Sequence, residues 1–94
     1  MELSQAKLEE ELLSLLITMD SGAVLCYSTK GSGLYRLCAV DGTETKIRRV
    51  VGRAAWDRGY LQFDKHKNGI TIYRLSSLGW VRCKQQIGHT AAST

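Results

Sequence analysis

Apolar side chains recur at Leu8, Leu12, Leu15, Leu16 and Met19, a spacing that lays them along one stripe of an α-helix over residues 4–19. Ser4 stands where a helix N-cap belongs, and Glu9, Glu10 and Glu11 fall in the N-terminal half, where the helix dipole favours acids. Gly22 is a natural stop. Leu13 and Ile17 widen the stripe beyond what one packing neighbour needs. A second copy is therefore expected on part of it, through Leu8, Leu12, Leu13 and Leu16.

Residues 23–28 are a short apolar run bounded by turn formers and predict a strand. Residues 29–33 form a loop. The 34–40 segment fits two periods: Leu34, Leu37 and Cys38 share a helical face, while Tyr35, Leu37 and Ala39 share a strand face. Asp41-Gly42 is a turn. Residues 45–58 predict a second helix capped by Thr45, with Ile47, Val50, Val51, Ala54 and Ala55 as its apolar side and Gly59 as its end. Residues 60–63 and 70–75 alternate as strands around a loop that closes on Asn68-Gly69, a strong hairpin signal. A turn over 76–79 follows. Residues 84–94 hold too little apolar surface to pack and predict a mobile tail. The organisation expected is one α+β domain over 1–83 and a tail over 84–94.

Ninety-four residues with 44% hydrophobic content build one thin core. No apolar run approaches the ~18 residues of a membrane span, and the first residues lack the order of a secretory signal, so a cytoplasmic protein is expected. Cys26, Cys38 and Cys83 are odd in number and have no short paired spacing. They predict small buried hydrophobes in a reducing compartment, with no disulfide frame, metal or cofactor. No Ser-His-Asp elbow, paired carboxylates, zinc-protease motif or phosphate loop is present, so an enzyme is not expected.

Charge changes the picture more than composition does. Residues 1–20 hold five acids and one base, whereas 21–94 hold twelve bases and four acids. An acidic helix is attached to a basic body, and a basic body attracts polyanions because each cation that meets a phosphate releases counterions. On a helix over 45–58, Lys46, Arg48, Arg49 and Arg53 point away from the apolar side. Lys65, His66 and Lys67 sit at the tip of the hairpin.

The order of elements is similar to a winged helix-turn-helix over roughly residues 5–83. The resemblance is carried by Trp56-Asp57-Arg58-Gly59-Tyr60-Leu61, a helix end running into a strand, and by Tyr73-Arg74-Leu75-Ser76-Ser77-Leu78-Gly79, a wing strand closing into a turn. It implies an N-terminal helix, a short strand or hairpin, a recognition helix over 45–58 and a C-terminal β-hairpin wing. It further implies that 34–40 is the scaffolding helix. As a strand, 34–40 would leave that helix missing and fit an αββαββ arrangement instead.

Two functions follow as expectations. The first is a small homodimeric transcriptional regulator that reads double-stranded DNA with Lys46, Arg48, Arg49 and Arg53 in the major groove and Lys65, His66 and Lys67 on the flanking backbone or minor groove. The alternative is a protein-interaction module, an inhibitor or adaptor, on the same scaffold.

Overall fold

Ser4 opens the first helix, α1 (Gln5–Asp20), by accepting a hydrogen bond from the backbone N–H of Lys7 at 3.2 Å. The computed structural model describes residues 4–28 and 34–92, with side chains through residue 85. Along α1 the stripe turns into the chain's own core: Leu12, Leu15, Leu16 and Met19 are all buried, and Leu8 packs against them. The expected dimer face is thus largely consumed within one chain. Leu12 and Leu16 keep only 3% and 1% of their surface, and Leu13 is half-buried in a recess with Tyr60 and Arg82.

Gly22, at φ +113°, turns the chain from α1 into the sheet. Strands β1 (Val24–Ser28), β2 (Tyr35–Cys38) and β3 (Glu44–Ile47) form an antiparallel meander. Helix α2 (Arg49–Asp57) then crosses to the far edge, where β4 (Leu61–Lys67) and β5 (Ile70–Leu75) form a hairpin. β5 pairs with β1, which gives the five-stranded order β3-β2-β1-β5-β4. Helix α3 (Ser77–Ala92) packs on α1.

This is not a winged helix-turn-helix, and the expected fold is corrected in three places. Residues 35–38 are a strand, so no scaffolding helix precedes α2. The strand period prevails because Leu37 lies directly opposite Leu25 and is buried there, while Arg36 and Cys38 take the other side. The second helix is also shorter than 45–58. Residues 44–47 pair with β2, with β-branched Thr45 opposite Leu37 and Ile47 opposite Tyr35, and α2 starts only at Arg49. Thr45 therefore caps nothing, and Arg48 occupies the N-cap without a side-chain capping bond. Finally, the backbone of α3 runs on to Ala92, over most of the stretch expected as a tail.

The local signals hold. Asn68 and Gly69 both adopt positive φ at the β4–β5 turn, and Gly59 does so after α2. Ser76 secures the start of α3: its hydroxyl donates to the Gly59 carbonyl at 2.6 Å and accepts from the Gly79 N–H at 3.0 Å.

Core residues Leu25 and Leu37 face the helices together with Val51, Ala55 and Leu61. The opposite face of the sheet, carrying Val24, Cys26, Arg36, Cys38, Ile70 and Ile72, is left open among the described residues. No helix among them is long and apolar enough to cross a membrane.

Candidate nucleic-acid interface

Strand alternation sorts the basic side chains by face. Arg36 pairs with Lys46 on one side and Cys26 on the other, Cys26 pairs with Ile72, and Ile72 pairs with Lys65. One row of the open face thus reads Lys46, Arg36, Cys26, Ile72, Lys65 across all five strands, about 19 Å from edge to edge. The next row adds Ser28, Ile70 and Lys67.

Lys65 joins this face because of an irregularity. The β4–β5 register shifts between Phe63 and Lys65, which inserts Asp64 as an extra residue. Without the shift Lys65 would point toward the helices. The same alternation sends His66 to the helix side, where its Nδ1 shares a 2.8 Å hydrogen bond with the hydroxyl of buried Thr71. The expected wing-tip trio is therefore split, with Lys65 and Lys67 on the open face and His66 behind it.

The expected helix face fares differently again. Lys46 lies on β3 and only Arg49 and Arg53 lie on α2. Arg48 pairs with Glu11 of α1 at 3.2 Å, and Arg53 pairs with Asp57 at 3.8 Å. Arg58 meets Glu9 of α1 at 2.8 Å, and this contact holds the Glu9 carboxyl below the usual carboxylate range. The acidic helix thus pairs with the arginines at the two ends of α2, and with Lys46 on β3 the bases expected over 45–58 do not form one continuous ridge.

On the open face, Glu44 is paired with Arg36 at 3.4 Å and Asp64 with Arg74 at 3.1 Å. Lys46, Lys65 and Lys67 make no ion pair among the described residues. All three are exposed, Lys46 at one edge of the open face and Lys65 and Lys67 at the other. Lys30, a further base in the loop expected over 29–33, lies outside the described residues.

Sequence reading did not single out this face. The signal available was the period-2 placing of Arg36, Lys46 and Lys67, which becomes legible only once 34–40 and 44–47 are strands. Trp56 is not part of the face: it is half-exposed on α2 and stacks against Tyr73 of β5, with ring centroids 5.2 Å apart. Among the described residues the open face carries aliphatic and thiol side chains between its bases and no aromatic ring. Such a surface is suited to phosphate contacts and offers no platform for base stacking. No protein-family model, curated protein or solved structure matches the chain.

Proposed function

We propose that this chain is a small DNA-binding module that meets duplex backbone with the open face of its sheet. One observation carries the reading: Lys46 on one edge strand and Lys65 and Lys67 on the other share the open face of the sheet, without an acidic partner among the described residues. The absence of aromatic rings there favours a duplex over a single strand. A role as a transcriptional regulator belongs to the same proposal and rests on the same charge. The proposal places the contact on the sheet in preference to α2, because Arg48 and Arg58 at the two ends of α2 pair with Glu11 and Glu9 of α1.

The test is fluorescence anisotropy with mixed-sequence duplex at low and physiological salt, using the wild type and the Lys46→Ala, Lys65→Ala, Lys67→Ala triple variant. Binding that weakens with salt in the wild type and is strongly reduced in the triple variant supports the proposal. A wild type that binds no duplex at low salt overturns it.

A second reading, a protein-interaction module, is favoured by α3, where Leu78, Trp80 and Val81 are 54%, 50% and 40% exposed. A complex captured on the purified chain that survives nuclease and is lost in Leu78→Ser supports this reading. Release by nuclease returns the weight to DNA.

A further inference from the structure

Beside the basic side chains, the open face holds two thiols in contact. The Sγ atoms of Cys26 on β1 and Cys38 on β2 stand 3.3 Å apart. Both residues are half-buried and line a recess of about 330 Å³ with Ser28, Leu34, Arg36 and Glu44. The third cysteine, Cys83, is wholly buried on α3 and takes no part.

We propose that Cys26 and Cys38 form a reversible intramolecular disulfide, with a low-molecular-weight disulfide of the glutathione class as the oxidant. A metal would need more ligands than these two sulfurs, and among the described residues no group of three His, Cys, Asp or Glu side chains comes together. A disulfide needs only the pair: the sulfurs must close by roughly 1.3 Å to reach bonding distance. Cys26 lies opposite Arg36, and Cys38 lies opposite Val24, so the two are diagonal neighbours. Diagonal neighbours stand about 7–8 Å apart, just beyond the usual disulfide span, so the bond forms as the two strands draw together, and thiols of the same small-molecule class reverse it.

Burial, then the hydrogen bond to Cys38 and the charges of Cys38 and Glu44, push the Cys26 thiol up to about 12. One thiol of the pair loses its proton to water and attacks one sulfur of the small disulfide, expelling the first thiolate and leaving a mixed disulfide. The neighbouring thiol gives its proton to that thiolate, attacks the protein sulfur of the mixed disulfide and expels the second thiolate, which takes up the proton released first. Two protein thiols are oxidised by two electrons, and the small disulfide is reduced to two thiols.

The full chain is equilibrated in a series of reduced and oxidised glutathione buffers, quenched with acid, denatured, alkylated and weighed. The expected result is a species lighter by two hydrogens before alkylation, whose alkylatable thiols fall from three to one. Trypsin, cutting after Lys30 and Arg36, should leave the Cys26 and Cys38 peptides joined. Dithiothreitol should restore three thiols. Three alkylated thiols in the most oxidising buffer overturn the proposal. So do a persistent glutathione adduct, a dimer between chains, or a bridge that maps to Cys83.

Discussion

Gly52 of α2 lies flat against the ring of Tyr35 on β2: a Cβ at Gly52 would stand 2.7–2.8 Å from three of its ring atoms. The ring cannot swing aside freely, because Tyr27 packs behind it with centroids 4.6 Å apart. This contact explains a glycine in mid-helix, where it costs roughly 1 kcal/mol relative to alanine. The glycine lets the helix approach the sheet closely as it crosses from one edge to the other.

Gly52→Ala should therefore destabilise the chain, against its helix propensity. Overpacking costs about 1–3 kcal/mol and the propensity gain offsets only part of it. Thermal melts should show a lower midpoint, by roughly 4–8 °C for each kcal/mol lost. A midpoint equal to or above that of the wild type would mean that α2 does not sit on Tyr35.

Leu16, with 1% of its surface exposed, decides between a core and a dimer role for the α1 leucines. Leu16→Ala should cost about 2–5 kcal/mol through the cavity it leaves. That loss should be the same across about a hundred-fold dilution, because no second copy is involved. A stability change that scales with protein concentration would restore the dimer reading.

The Glu9–Arg58 pair predicts a pH dependence with a definite sign. The folded carboxyl lies below its ordinary value of 4.5, held there first by the hydrogen bond from Arg58. Its contribution is present above that ordinary value and is lost as pH falls through the folded one. In denaturant titrations Glu9→Gln should be less stable than wild type at about pH 6, and the gap should close toward about pH 3. A gap that stays constant or widens in acid would contradict the pairing.

Salt dependence separates the lysines from the arginines. Three phosphate contacts should weaken binding about 40-fold between 50 and 200 mM salt. Replacing Lys46, Lys65 and Lys67 should lower the slope of log affinity against log salt by roughly 2.7. Arg48→Ala should leave that slope unchanged, since Arg48 is engaged with Glu11. Equal losses from Arg48 and from the lysines would put the interface back on α2.

The repeated Tyr-Arg-Leu triplets show how far local pattern reaches. Tyr35-Arg36-Leu37 and Tyr73-Arg74-Leu75 fall on β2 and β5, the two neighbours of β1, with each arginine on the open face. From the chain alone the first triplet was equally compatible with a helix. Four residues satisfy either period, and only the ladder partner, here β1, chooses between them.

Features set by one to four residues were legible without coordinates, because they depend on local dihedral angles and local hydrogen bonds. The Ser4 cap, the Gly59 turn, the Asn68-Gly69 hairpin and the Ser76 cap are of this kind. The amphipathic stripe of α1 was equally plain, since sixteen residues average out the ambiguity that four cannot. Tertiary structure alone decided that 44–47 is a strand, that a bulge at Asp64 turns Lys65 outward, and that Glu9 and Glu11 pair with the arginines at the two ends of α2. Each of these depends on partners many residues away, and it is those partners that determine which charges are left to meet another molecule.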